Sequence, residues 1–181
     1  MPTSYERVYV LELKRARGSR NFYVGTTLRE MHVRYAEHEQ GYGSRWTHWN
    51  PVRRCVCWMR VPVGTSATIE NEVTRYLMAK FGWGNVRGGD WVFVRCKSRN
   101  WLPKELRLLG PTDVLELHRR RVSHFLPESR RIIEFLDVAC GLQNPKQLNA
   151  DPFPEITLRS LPDHAHHVDA PHAVPEALCA Q

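Results

Sequence analysis

The chain has 181 residues, with 26 lysines and arginines against 19 aspartates and glutamates, a formal net charge of +7 and five cysteines. That length accommodates one domain with a real core plus an appendage. The cysteines, Cys55, Cys57, Cys96, Cys140 and Cys179, form neither a disulfide framework nor the paired pairs of a zinc site, and no leader or apolar run of membrane length is apparent, so an intracellular, cytoplasmic protein is expected.

Val8-Tyr9-Val10 and Phe22-Tyr23-Val24-Gly25 cluster β-branched and aromatic residues as half-buried strands do, and the polar segment between them carries Gly18 as a turn former. The two read as an antiparallel hairpin. Alternation along the first run places Val8, Val10 and Glu12 on one face and Tyr9, Leu11 and Leu13 on the other. Thr27-Leu28-Arg29-Glu30 spaces a hydroxyl and a carboxylate as a capping box does, which predicts a helix starting there and stopping near Gly41. Its apolar stripe is Leu28, Met31 and Tyr35. Arg34 and His38, four residues apart, lie along a neighbouring line from which both can touch one small object such as a phosphate. Taken singly, the arginine reads as a solvated surface residue and the histidine as a helix-end residue favoured by the dipole.

A third strand is predicted over 52–61, with Cys55 and Cys57 on the same face, and the next helix is capped by Thr65 or Ser66 and ends by Gly82. Ile69, Val73 and Leu77 form the apolar line of that helix and turn Glu70, in preference to Glu72, toward the edge of the core. After Trp91-Val92-Phe93-Val94 the pattern turns helical over 112–125 and 127–141, the second segment with proline at its start and glycine at its end. From about Asn149 the chain is rich in Pro, His and Ala with little periodicity and reads as a mostly disordered, acidic tail. The organisation expected is a main domain over 5–95, a helical extension over 98–145 and a tail over 149–181.

Charge is unevenly placed: 16 basic against 8 acidic residues in 1–97, 9 against 6 in 98–150, and 1 against 5 in 151–181. The positive excess sits in the segment that holds Arg34 and His38, as an electrostatic track for phosphates requires, although solvated arginines alone would produce the same composition. Lys14, Arg15, Arg17 and Arg20 on the hairpin loop are placed to run along a nucleic-acid backbone, and Arg45, Asn85 and Arg87 are further candidates for phosphate contacts.

Five stretches occur in a telling order: Arg7-Val8-Tyr9, Tyr23-Val24-Gly25, Arg34-Tyr35-Ala36-Glu37-His38 followed by Gly41-Tyr42-Gly43-Ser44-Arg45-Trp46-Thr47, Glu70 within Ala67-Thr68-Ile69-Glu70-Asn71-Glu72-Val73-Thr74, and Asn85-Val86-Arg87-Gly88-Gly89. Together they resemble the GIY-YIG nuclease superfamily over about residues 5–95. The resemblance implies an α+β fold with a three-stranded antiparallel sheet flanked by helices, and a metal-dependent endonuclease that hydrolyses phosphodiester bonds in DNA. It implies a catalytic cluster of Tyr9, Tyr23, Arg34, His38 and Glu70, with Glu70 holding Mg2+ or Mn2+ and Tyr9 serving as general base or positioning the attacking water. A free phenol titrates near ~10, so Tyr9 accepts a proton at neutral pH only if positive charge lowers that value or the proton passes onward. Two departures stand out: Arg7 replaces the family's first glycine, and Val24 replaces an isoleucine. The alternatives are a catalytically inactive nucleic-acid-binding module of the same fold, and an interaction protein that acts through the helical extension and tail.

Overall fold

Residues 5–14, 20–92, 124–141 and 152–157 are described by a computed structural model of the chain. Strands β1 (Tyr5–Leu13) and β2 (Asn21–Thr27) pair antiparallel with Val10 opposite Val24 and Tyr9 opposite Gly25. Strand β3 (Val52–Pro62) pairs antiparallel with the other edge of β1. A two-residue strand, β4 (Val86–Arg87), pairs parallel with β2, which gives the order β3-β1-β2-β4. The α+β class holds, but the sheet is four-stranded and mixed where three antiparallel strands were expected. Two residues are too few for any periodicity to register.

The alternation read from β1 separates two cores. Val8 and Val10 join Phe22, Val24, Met59 and Val61 beneath helices α3 (Ser66–Phe81) and α4 (Pro127–Gly141), which contribute Ile69, Val73, Leu77, Ile132, Ile133 and Leu136. On the opposite face Tyr9, Leu11 and Leu13 join Tyr23, Trp58, Met31 of α1 (Met31–Glu39) and Trp46 of α2 (Arg45–Trp49). The sheet is therefore covered on both sides, and burying each large apolar side chain contributes about 1.5–3 kcal/mol. Among the described residues no helix is long and apolar enough to cross a membrane.

Three local expectations are corrected. Helix α1 begins at Met31, not Thr27: Thr27 ends β2, its hydroxyl accepts from the Arg29 N–H, and the Glu30 carboxylate is ion-paired with Arg7 instead of closing a capping box. Leu28 is left exposed. Cys55 and Cys57 lie in opposite cores, because Val10 and Leu11 face Cys57 and Cys55 with Val56 squeezed between them. Such a bulge adds one residue to the strand and switches the facing of everything beyond it. Finally, part of the region read as a disordered tail is ordered: the Trp58 N–H donates to Pro154 O at 2.9 Å, the Ile156 N–H to Trp58 O at 2.8 Å, and Ile156 is buried. Composition predicts solvation there, yet the unpaired edge of β3 is satisfied by this segment. The helix expected over 112–125, Phe93-Val94, Cys96, Cys179, Arg15 and Arg17 lie outside the described residues, apart from the last two positions of that helix.

One polar group ties several elements together. Glu12, 2% exposed, accepts from Arg20 at 3.1 Å and from Arg54 at 2.8 Å, with Arg53 at 3.4 Å, while Arg20 also donates to Cys140 O of α4. Burial alone would raise the Glu12 carboxyl, but the Arg20 and Arg54 hydrogen bonds outweigh it and hold it below the carboxylate's ordinary value. The stability this provides is present in full above about pH 4.5, that ordinary value, and is lost as pH falls through the lowered folded-state value. Glu12→Gln should cost about 2–3 kcal/mol at neutral pH, the low end for breaking a buried pair because the arginines keep contact with water. Urea midpoints at pH 7 and pH 3 check this, and the gap between parent and variant should shrink at the lower pH.

Candidate active site

Tyr9 projects from the middle of β1 onto the face covered by α1, and Tyr23 stands beside it on β2 with ring centroids 6.3 Å apart. Close packing there depends on Gly25: a methyl group at that position would lie 2.5 Å from the Tyr9 hydroxyl oxygen and 2.8 Å from the Tyr23 ring. From α1, Arg34 and His38 both reach the same small object, and that object is the Tyr9 hydroxyl. His38 Nε2 lies 2.8 Å from it and Arg34 Nε donates to it at 3.0 Å. The spacing of four residues on α1 is what lets one atom receive both side chains.

One assignment of hydrogen-bond directions satisfies every group in this cluster. The Thr47 hydroxyl, in α2, lies 3.1 Å from Ser44 O and 2.8 Å from His38 Nδ1, and we assign its single proton to the carbonyl, which makes it the acceptor for His38 Nδ1–H. With the proton on Nδ1, Nε2 is a bare acceptor and the Tyr9 hydroxyl donates to it. The Tyr9 oxygen in turn accepts from Arg34. Burial, and secondarily the Arg34 charge, push His38 down to about 3, so the ring is neutral. Burial followed by the neighbouring Tyr23 raises the Tyr9 phenol well above its ordinary value, and the opposing Arg34 charge and hydrogen bond do not offset this. Tyr9 is thus a phenol and not a phenolate.

Arg34 is anchored by Glu37, which accepts from Nη1 at 2.7 Å, and by Gly43 O, which accepts from Nη2 at 3.0 Å. A guanidinium has five N–H groups, so two remain beyond the three engaged, and its side chain is 20% exposed. Gly43 also makes room for the histidine, since a Cβ there would sit 2.1 Å from His38 Nδ1.

Glu70, in the first turns of α3, arrives from the other side of the sheet. One oxygen accepts from the Gly89 N–H at 2.8 Å, just beyond β4, and its charge acts on both Tyr9 and Tyr23. Gly89 has φ +50, and a Cβ on it would collide with Asn71; this tight turn brings a backbone donor to the carboxylate. Burial raises the Glu70 carboxyl above its ordinary value and the Gly89 hydrogen bond only partly opposes this. No Lys or Arg pairs with Glu70 among the described residues. Glu72 is occupied elsewhere: it accepts from the Leu126 N–H at 3.1 Å and from the Ser129 hydroxyl at 2.5 Å, at the start of α4.

The five residues read as catalytic are thus gathered around the two tyrosines. The positions expected to contact DNA are scattered in fate. Lys14 and Arg45 are exposed. Arg20 is held by Glu12 and Cys140 O, Asn85 donates to Phe81 O at 2.6 Å at the end of α3, and Arg87 is buried with its guanidinium 4.4 Å from the Trp46 ring centroid. Sequence reading missed Thr47, Gly43 and Gly25. Ser44 and Thr47 carry a cap spacing that signals α2, with Ser44 capping and Thr47 answering, and a glycine inside a strand pattern signals a close approach.

A carboxylate that is partly buried with no cationic partner suits a divalent cation, because such ions often take one or two protein carboxylates and keep water and substrate oxygens as other ligands. Among the described residues no three His, Cys, Asp or Glu side chains converge as a cage; Glu70 is a carboxylate near the tyrosines that accepts a backbone N–H and has no cationic partner among them. Searches against protein-family models, curated proteins and solved structures return no match for this chain.

The His38 assignment has a direct check. Ring nitrogen resonances should report the neutral Nδ1–H form from pH 8 down to about pH 4, the folded value being about 3 against an ordinary 6.5. Because the folded value is the lower one, this group subtracts stability as pH falls from about 6.5 toward 3. A His38 titration centred between pH 6 and 7 would contradict the buried relay.

Proposed function

We propose that the chain is a GIY-YIG-type endonuclease that hydrolyses phosphodiester bonds in DNA with the help of Mg2+ or Mn2+. The observation that carries this reading is a phenol hydroxyl held between an arginine and a neutral histidine, beside a carboxylate with no cation of its own. Burial explains the partners of the hydroxyl, and the unpaired carboxylate beside it is what packing leaves unexplained. Arg7 does not weaken it: the residue lies in extended β1 backbone between Thr27 and Arg60, and its guanidinium donates to Leu28 O and Arg29 O.

Tyr9 acts as a relay and not as a free base. Water transfers a proton to the Tyr9 oxygen as the Tyr9 proton moves to His38 Nε2, the water oxygen bonds to phosphorus as the ester P–O bond breaks, the departing alkoxide takes a proton from solvent, and His38 then returns its proton through Tyr9 to solvent. The Nδ1–H bond to Thr47 steadies the imidazolium that forms. A value of about 3 makes His38 a weak acceptor in the free protein, but a phosphate bound against Arg34 cancels the part of that depression due to the Arg34 charge. Tyr9 is 1% exposed, so the attacking water has to enter together with the substrate, whose non-bridging oxygens would take the two spare N–H groups of Arg34. Glu70 would hold the metal, which when bound supplies positive charge to the phosphate and the departing oxygen. An inactive DNA-binding module of the same fold is the second reading, and it is separated from the first by binding of DNA without strand cleavage in magnesium.

Single-turnover cleavage of labelled DNA tests the assignment. Tyr9→Phe keeps the packed ring and should slow cleavage by about 10²–10⁴-fold. Arg34→Lys should be severely slowed at nearly unchanged affinity, because the planar fork is lost and the charge is not. Glu70→Ala should abolish cutting and preserve binding, whereas Glu72→Ala should lower thermal stability and leave the rate near that of the parent. An active Glu70→Ala beside a dead Glu72→Ala would reverse the roles given to the two carboxylates.

A further inference from the structure

The segment from Gly41 to the end of α2 carries two large aromatic side chains that lie mostly outside the core, Tyr42 before α2 and Trp49 at its last position. Tyr42 is 82% exposed and Trp49 is 66% exposed. Other residues of the same short stretch are used inward: Gly43 O binds Arg34, Thr47 binds His38 and Trp46 is buried under Arg87. The two ends of the stretch meet, since a Cβ on Gly41 would lie 2.9 Å from His48 Nδ1, and the His48 ring stands edge-on to Trp49 at 5.5 Å between centroids. Tyr42 and Trp49 are thus each one residue from a contacting pair, and both are exposed on the segment whose Gly43 O anchors Arg34. Arg45, between them in sequence, is exposed as well.

On these observations we infer that Tyr42 and Trp49 form a stacking platform for unpaired bases of DNA next to the scissile phosphate. This rests on the nuclease reading and adds the substrate class: DNA with a single-stranded portion at the cut. Bases in a duplex already stack on each other, so exposed rings gain little from them, while an unpaired base offers both faces. The basic charge of the surrounding domain supplies backbone attraction without selecting strandedness.

Binding is measured by fluorescence anisotropy in EDTA, so that no cutting occurs, with the full chain and three probes: a blunt duplex, the same duplex with a single-stranded arm, and that arm made of abasic residues. Tyr42→Ala and Trp49→Ala should each weaken binding to the armed duplex by about tenfold, within what one base on one ring supplies. Tyr42→Phe and Trp49→Phe should bind as the parent does. On the blunt duplex and on the abasic arm the alanine variants should match the parent. Both side chains are exposed, and unchanged thermal melting confirms that the variants fold. Equal loss on all three probes, or no loss on the armed duplex, overturns the platform while parallel cleavage with magnesium leaves the nuclease reading standing. A parent chain that neither binds nor cuts any probe overturns both.

Discussion

Much of the architecture is organised around where one hydroxyl can go. The Tyr9 phenol is buried, and a buried hydroxyl without partners costs more than its neighbours can readily offset. It is satisfied from both sides by α1, as donor to His38 and as acceptor from Arg34. That arrangement fixes the rotation of α1 about its axis. It also requires Gly25 beneath the ring and Gly43 beside the imidazole, and it ties α2 to the site through Thr47. The same bonds hold a proton donor and acceptor in line, which is the geometry that the proposed proton transfer would use.

Glu70 obeys a different constraint. It comes from the helix on the opposite face of the sheet and is held by a backbone N–H instead of a cation, which keeps a negative charge near the tyrosines uncompensated within the protein. A carboxylate left in this condition destabilises the chain slightly, and under the proposed nuclease reading a bound cation would offset that cost. Glu72, two residues on, shows the contrast: its carboxylate is consumed at the start of α4 and serves the fold.

Short-range signals in the sequence were the legible ones. Period-two alternation separated Val8 and Val10 from Tyr9 and Leu11 correctly, and helical spacing placed Arg34 and His38 side by side. What could not be read depends on neighbours distant in the chain. Whether an arginine faces a phosphate or a protein carboxylate is set by which strand lies beside it, as Arg20 finding Glu12 and Cys140 illustrates. The Val56 bulge reverses the facing of Cys55 relative to Cys57 with no local mark. Likewise, the ordering of residues 152–157 depends on the free edge of β3, which no property of that segment announces.

Strand breakage itself bears most directly on the assignment of the Tyr9, His38, Arg34 and Glu70 cluster to phosphodiester hydrolysis. An end-labelled DNA duplex with a single-stranded arm is incubated with the full chain in magnesium or in EDTA, and the products are resolved on a denaturing gel. Discrete shortened strands in magnesium and intact DNA in EDTA are the expected result. Intact DNA under both conditions, from a chain that is folded and binds the probe, would contradict a catalytic role for the cluster.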